Sequence, residues 1–241
     1  MKNIIITGTS RGIGLAVALQ LAKEGHAILA VSRNRAPEFE NIGNIHFLEA
    51  DITLEEDRKK IVSFVEKSWE RVDILINNAG VGDSKRFLDY SDQDWDAIVG
   101  TNLKAPWMCA QEVVSHMVKQ KVPGAVINIT SILSETINLG VSPYCASKAG
   151  LKHLTEVMAV EVARFNIRVN AIAPGYMVTE INKDYLTSEA GQAILKRIPM
   201  RRFVEFSDLN GALLLLASEA GRGMTGVEIK VDCGHSCSPI S

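Results

Sequence analysis

Short, unbroken apolar runs recur along this chain, separated by longer stretches whose apolar residues fall three and four apart. The runs are "NIIIT" (3–7), "AILAV" (27–31), "IHFLEA" (45–50), "DILIN" (73–77), "AVINIT" (125–130), "IRVNAI" (167–172) and "VEIKVD" (227–232). Most are β-branched and do not alternate with polar residues, the pattern of strands covered on both faces. The stretches 12–24, 54–69, 103–120, 144–164 and 207–217 carry the helical spacing. Strands alternating with helices predict βαβ units joined by right-handed crossovers. The expected fold is therefore α/β, a doubly wound parallel sheet of about seven strands with helices on both faces. No repeat, linker or low-complexity segment interrupts the pattern, so 1–241 is expected to form one domain.

One long segment, 173–226, separates the last two strands. It contains Pro174, Gly175 and Pro199 and only broken helical patterns. Open parallel sheets bind ligands at the C-terminal ends of their strands, so this segment is expected to supply a substrate lid, within about 176–206. Ile181, Tyr185, Leu186 and Ile194 give that lid an apolar character.

Composition narrows the class. The formal charge is −2 and 46% of residues are apolar, which suits a soluble protein with a sizeable core. No basic surface for nucleic acid is indicated, and the longest late apolar run, "GALLLLA", is far too short to span a membrane. The N-terminal "MKNIIITG" reads as a first strand and not as a signal peptide, so a cytoplasmic location is expected. Cys109, Cys145, Cys233 and Cys237 are scattered and read as free thiols. The cluster "CGHSC" (233–237) has no second ligand pair, so no metal site is expected.

The first candidate chemistry lies in "TGTSRGIG", Thr7 to Gly14. A strand, a glycine turn and a helix in succession aim free backbone N–H groups at an anion. Gly8 permits a sharp exit from the strand, Gly12 a close approach to a pyrophosphate, and Gly14 close helix–strand packing. Ser10, Arg11 and Ile13 complete the turn. The second strand then ends "AVSRN", with Ser32, Arg33 and Asn34 where an NAD-binding fold carries an acidic residue. A carboxylate there would repel a ribose 2′-phosphate, whereas Arg33, with Arg11 from the turn, would pair with it. The expected cofactor is NADP(H).

The second candidate is "YCASK", which puts Tyr144 and Lys148 four residues apart on one helical face. Ser131 closes the strand "AVINIT", and Asn102 lies upstream in "GTNLKAP". Together with "TGTSRGIG", "DIT" (51–53), "NNAG" (77–80) and "PGYMVT" (174–179), in order and spanning nearly the whole chain, these motifs resemble the short-chain dehydrogenase/reductase family in its single-domain branch. That resemblance implies a Rossmann fold and hydride transfer between a nicotinamide cofactor and a carbonyl or hydroxyl substrate.

A ketone that accepts hydride gains negative charge on oxygen and needs a proton there. Tyrosine, at an ordinary pKa of about 10, is too weak an acid for ready cycling at neutral pH. A lysine ammonium one turn away is expected to lower that pKa. Tyr144 is then the general acid in reduction and the base in oxidation, and Ser131 steadies the carbonyl oxygen. The resemblance further implies that Lys148 holds the nicotinamide ribose and that Asn102 orders a water leading to Lys148. It implies that Asp51 and Ile52 contact adenine, that Asn78, Ala79 and Gly80 line the adenosine ribose, and that Asn77 is structural. Pro174 and Gly175 would pass under the nicotinamide, with Thr179 near its carboxamide or the phosphates. Tyr176 is open between substrate contact and lid packing. His116 and His153 fall on helical stretches without a catalytic role.

In overall look the chain is nearest to the 3-oxoacyl-acyl-carrier-protein reductases. The alternatives are a polyol, sugar-acid or secondary-alcohol dehydrogenase, and a nucleotide-binding sensor or scaffold without turnover. A carrier-protein-bound substrate would need a basic docking patch, for which Lys119, Lys121, Arg164 and Arg168 offer themselves. The resemblance also implies a homo-oligomer, a tetramer, pairing helices 103–120 and 144–164 with their counterparts. The run "LTEVMAVEVA" (154–163) has more apolar residues than one buried stripe needs. The chain departs from the family pattern at "DCG", where Cys233 replaces a glycine, and at "VEF" (204–206).

Overall fold

A computed structural model describes residues 1–179 and 182–237. Its centre is one sheet of seven strands in the order β3-β2-β1-β4-β5-β6-β7, every neighbouring pair parallel. The strands are β1 (Asn3–Thr7), β2 (Ala27–Ser32), β3 (Ile45–Glu49), β4 (Ile74–Asn77), β5 (Gly124–Ile129), β6 (Ile167–Pro174) and β7 (Glu228–Val231). All seven expected strands form, with ends shifted by a residue or two.

Each strand feeds both faces of the sheet. In β1, Ile4 and Ile6 point to one side and Ile5 to the other, and none is exposed. This period of two inside an unbroken apolar run is what a doubly covered parallel sheet demands. One face is covered by α1 (Gly12–Lys23), through Val17, Ala18 and Leu21. Leu213 and Leu216, from the late helix Asn210–Ala217, pack on the same face. The other face is covered by α2 (Glu55–Ser68) and by the helices Ala105–Gln120 and Ser142–Val162.

Among the helices outside the expected stretches is α3 (Asp92–Val99). It buries only Ile98, and a capping box starts it. The Asp94 backbone N–H donates to Ser91 Oγ and the Asp94 carboxylate accepts from the Ser91 N–H. A wider π turn, Gly100–Lys104, joins it to α4 (Ala105–Gln120), so the expected helix from 103 is the continuation of an earlier one. Next comes α5 (Ser142–Val162), with Pro143 in its first turn.

The segment between β6 and β7 holds α6 (Lys183–Thr187), α7 (Glu189–Arg197) and α8 (Asn210–Ala217). Met177 bridges Val204 in parallel, and the Val204 N–H donates to the Tyr176 carbonyl at 2.9 Å, which ties the two ends of the expected lid together. Among the described residues no helix is long and apolar enough to cross a membrane.

A buried polar chain locks β4, β5, α4 and α5. Asn77 Nδ2 donates to Asn128 Oδ1 at 2.9 Å and to the Pro106 carbonyl at 3.1 Å, and Asn128 Nδ2 donates to Thr155 Oγ1 at 2.9 Å. These groups are almost fully buried, so each bond replaces one to water that folding removed. Asn77 thus has the structural place expected of it.

Candidate active site

Because the strands are parallel, the loops following β1, β4, β5 and β6 leave from one edge of the sheet. The first residues of the loops after β4, β5 and β6, with Ile13 from the helix after β1, wall a cavity of about 310 Å³. The order β2-β1-β4 reverses the direction of winding at β1, and this is where open α/β sheets bind ligands.

The turn after β1 is tied to both neighbouring strands. The Gly8 N–H donates to the Val31 carbonyl of β2 at 2.8 Å. On the other side Asn78 Nδ2 donates to the Thr7 and Gly8 carbonyls, both at 3.0 Å, while the Asn78 and Ala79 N–H groups donate to Thr7 Oγ1. A Cβ on Gly14 would lie 2.2 Å from the Gly8 carbonyl oxygen, so only glycine lets α1 start this close to β1. Gly12 differs: its φ is +62° and a Cβ there would meet nothing. The Arg11 side chain makes no capping bond to α1. The first N–H groups of this helix therefore face an open cradle, which suits a phosphate.

Ser32, at the end of β2, is buried. Its hydroxyl donates to the Asn34 carbonyl at 2.8 Å and lies 3.3 Å from Thr9 Oγ1. Thr9 is fully buried, and this role was not read in the sequence. Arg11, Arg33 and Asn34 are exposed, and neither arginine has an acidic partner among the described residues. The end of β2 thus offers cations and neutral groups, and the site fits a phosphorylated ribose. Asp51 Oδ1 accepts from the Thr53 N–H and hydroxyl, and buried Arg58 donates to the Ile52 carbonyl at 2.9 Å while pairing with Glu112 at 3.0 Å. These bonds fix the 51–52 corner beside the turn.

Ile13, Asn78, Gly80, Ser131, Tyr144, Lys148, Pro174, Gly175 and Thr179 all line the cavity. Gly8, Ser10, Arg11, Gly12, Gly14, Ser32, Arg33, Asn34, Asp51, Ile52, Ala79 and Asn102 lie outside it. Val81, Gly82, Thr130, Ile132, Leu133, Met177 and Asn182 also line it, and none of these was singled out from sequence. Tyr176 lines it too, and its ring stacks on His235 with centroids 5.3 Å apart. Of the expected apolar lid residues, Leu186 is buried, Ile194 packs against the core and Tyr185 is exposed. None of the three lines the cavity, and Ile181 lies outside the described residues.

The candidate catalytic residues sit where β5 meets α5. Ser131 starts the turn Ile132–Ser134, and its hydroxyl accepts from the Leu133 N–H at 3.2 Å. Tyr144 and Ser131 line the same cavity. Lys148 Nζ is 5.7 Å from the Tyr144 ring centre and donates to the Ile129 carbonyl at 2.8 Å. The expectation that the ammonium lowers the phenol's pKa is corrected here. Burial dominates, pushing Tyr144 above its ordinary value while the nearby Ser131 opposes the rise. Burial also pulls Lys148 down to about 8. Both groups disfavour charge because both are removed from water.

Asn102 is fully buried in the π turn. Its Oδ1 accepts from the Val81 N–H at 2.8 Å, and its Nδ2 donates to the Val81 carbonyl at 2.7 Å and to Ser147 Oγ at 3.3 Å. The side-chain amide thus clamps the loop after β4. That loop forms one wall with the segment 137–140, since the Lys85 N–H and the Tyr90 hydroxyl both donate to the Gly140 carbonyl at 2.9 Å. His116 is buried on α4 and His153 exposed on α5, and neither lines the cavity.

Comparisons with known proteins agree with this geometry. A family model described as enoyl-(acyl carrier protein) reductase matches residues 8–236. A 3-oxoacyl-[acyl-carrier-protein] reductase of Staphylococcus epidermidis is 36% identical over 97% of this chain and 98% of its own. A 5-keto-D-gluconate 5-reductase of Escherichia coli is 38% identical over 97% and 94%. The crystal structure of a gluconate 5-dehydrogenase from Burkholderia cenocepacia, in complex with NADP and tartrate, superposes with a TM-score of 0.92 at 32% identity. It covers 99% of this chain and 96% of that one.

The two glycines of the turn separate packing from binding. Gly14→Ala should lose at least about 3 kcal/mol of stability, because backbone must move to admit the methyl group. Gly12→Ala should lose only about 1–2 kcal/mol, the cost of a left-handed alanine. Urea unfolding of both variants checks this, and equal losses would contradict it.

Proposed function

The chain belongs to the short-chain dehydrogenase/reductase family, and we propose that it is an NADP(H)-dependent ketoreductase acting on a 3-oxoacyl thioester. The observation that carries the reading is the meeting of Ser131, Tyr144 and Lys148 on one wall of a cavity whose other residues are mostly apolar. Ile13, Val81, Ile129, Ile132, Leu133 and Met177 line it, and among the described residues its one cation is Lys148, already bonded to the Ile129 carbonyl. Such walls suit a neutral ketone with an apolar chain. A sugar acid would bring a carboxylate with no free cation in the lining to meet it. A second reading, a sugar-acid reductase, is supported by the likeness to the gluconate enzymes.

The residues divide the work as follows. NADPH, when bound, supplies the hydride. The free N–H groups at the start of α1, with Gly8, Ser10, Gly12 and Ile13, would hold its pyrophosphate, and Arg11, Arg33, Ser32 and Asn34 its 2′-phosphate. Asp51, Ile52, Asn78, Ala79 and Gly80 would flank the adenosine, and Pro174, Gly175 and Thr179 the nicotinamide. Lys148 would hold the nicotinamide ribose. Ser131 donates to the carbonyl oxygen of the substrate, and Tyr144 passes its proton to that oxygen. Burial keeps the phenol protonated, the form reduction needs. Asn102 keeps Gly80 beside Lys148. We assign a water between Asn102 and Lys148 to proton return.

The segment 176–206 would serve as lid within the single domain. The molecule is read as a cytoplasmic homotetramer, supported by its free cysteines and by the exposed Trp107 of α4 and Val157 and Val160 of α5. Carrier-protein docking has thinner support. Arg168 donates to the Leu216 and Met224 carbonyls and so belongs to the fold, which leaves Lys119, Lys121 and Arg164.

Followed by NADPH absorbance, a short 3-oxoacyl thioester should be reduced faster than 5-ketogluconate, and Tyr144→Phe should lower kcat at least about 100-fold with NADPH binding kept. An unchanged rate in Tyr144→Phe would remove Tyr144 as the proton donor, a wild type that reduces no ketone would favour the sensor or scaffold reading, and faster turnover of the keto-acid would favour the gluconate one.

Reduction should also weaken with rising pH. The ammonium of Lys148 exists below its pKa of about 8, so kcat should fall as pH climbs through that value. Lys148→Arg should move the fall upward, whatever rate it retains.

Arg33→Ala should raise the Kd of NADPH about tenfold or more and leave NADH unchanged, as titration by fluorescence would read. An equal loss for both cofactors would remove Arg33 from the phosphate site.

A further inference from the structure

Glu228, the first residue of β7, lies half-buried directly behind the catalytic serine. Its Oε1 is 2.6 Å from Thr130 Oγ1, and its two oxygens are 3.4 and 3.3 Å from Ser134 Oγ. Thr130 and Ser134 bracket Ser131 and the turn it starts. One carboxyl group therefore reaches both ends of the segment that presents the Ser131 hydroxyl to the cavity.

Two observations bear on its charge. Thr130 Oγ1 is also 3.0 Å from the Ile172 carbonyl oxygen. A hydroxyl has one proton, so it cannot donate to a carbonyl and to a carboxylate together. If the carboxyl carries the proton, it donates to Thr130 Oγ1, Thr130 donates to Ile172, and Ser134 donates to the carboxyl; every contact then pairs a donor with an acceptor. The second observation is the distribution of cations. The charged groups facing Glu228 are Lys152 from α5, Lys230 from β7 and Glu135 from the end of the turn. Both lysines make their ion pairs with Glu135, and among the described residues no ion pair reaches Glu228. Burial raises its carboxyl pKa, against the smaller pull of Lys152 and the two hydroxyls.

We propose that Glu228 is a positioning residue held as a neutral carboxylic acid, stapling Thr130 to Ser134 so that the Ser131 hydroxyl is fixed against the substrate carbonyl. The inference rests on the reductase reading for its kinetic half, whereas the protonation half stands apart from turnover. Gln is the mimic of a neutral carboxyl, because its amide N–H₂ can donate to Thr130 and its oxygen can accept from Ser134.

Glu228→Gln should keep kcat within about threefold, whereas Glu228→Ala should lower it about tenfold or more without changing the Kd of NADPH. The wild type should lose kcat where Glu228 ionises as the pH rises, a limb absent from Glu228→Gln. Thr130→Val, which keeps the shape and removes the hydroxyl, should reproduce the loss, and the double variant Thr130→Val/Glu228→Ala should be no slower than the slower single one. This second variant carries the test if Glu228→Ala fails to fold. The infrared difference between wild type and Glu228→Gln, taken at a pH below that limb, should contain the C=O band of a protonated carboxyl. A carboxylate band there, or a Glu228→Gln variant as slow as Glu228→Ala, would overturn the proposal. If the wild type reduces no ketone, the reductase reading fails, and the infrared band still decides whether Glu228 is neutral.

Discussion

Seven parallel strands, buried on both faces, put all their C-terminal ends along one edge, and everything in the site follows from that edge. A parallel sheet cannot close its strands with hairpins, so each strand end launches a crossover from the same side. The turn after β1, the 78–82 loop after β4, Ser131 after β5 and Gly175 after β6 are brought together by topology before any side chain chooses a partner. Side chains then fix the spacing. Asn78 joins the first two loops, Asn102 holds the second, and the Met177–Val204 bridge closes the lid base onto the last.

How much of this the sequence discloses depends on the range of the interaction. The strands are legible because burial on two faces imposes unbroken β-branched runs, as in "NIIIT" and "AVINIT". Ser131, Tyr144 and Lys148 are legible as a spaced motif, and they do meet. The capping box of α3 is written in Ser91 and Asp94, but its helix buries one residue and leaves no apolar stripe to find. The π turn around Asn102 has no local signature, since a wider hydrogen-bond ladder is a property of the backbone. Thr130, Val81 and Met177 reach the cavity only through strand ends and the lid, which no spacing rule connects. The direction of the Tyr144 pKa was missed for the same reason: a four-residue interval gives the distance to Lys148 but not the loss of water around both.

The centre of the site is kept electrically quiet, whereas its rim is not. Burial disfavours charge on Tyr144, Lys148 and Glu228 alike, while Arg11 and Arg33 stand exposed at the ends of the first two strands. On the reductase reading, a phosphorylated cofactor would meet cations in water, where desolvation is cheap. The reacting carbonyl would meet neutral donors where field lines are least screened, so a small charge developing on oxygen would interact strongly with them.

The loop 83–90 and the segment 137–140 form a single hydrogen-bonded unit through the Gly140 carbonyl. The loop runs into it from Val81 and Gly82, which line the cavity and are held through Asn102 to Ser147 of the helical layer. Tyr176, Met177 and Thr179 line the cavity from the segment that returns through Val204. Variants that enlarge the accepted substrate should therefore accumulate on the Tyr176 side and spare the Val81 side, whose backbone is bonded at both ends.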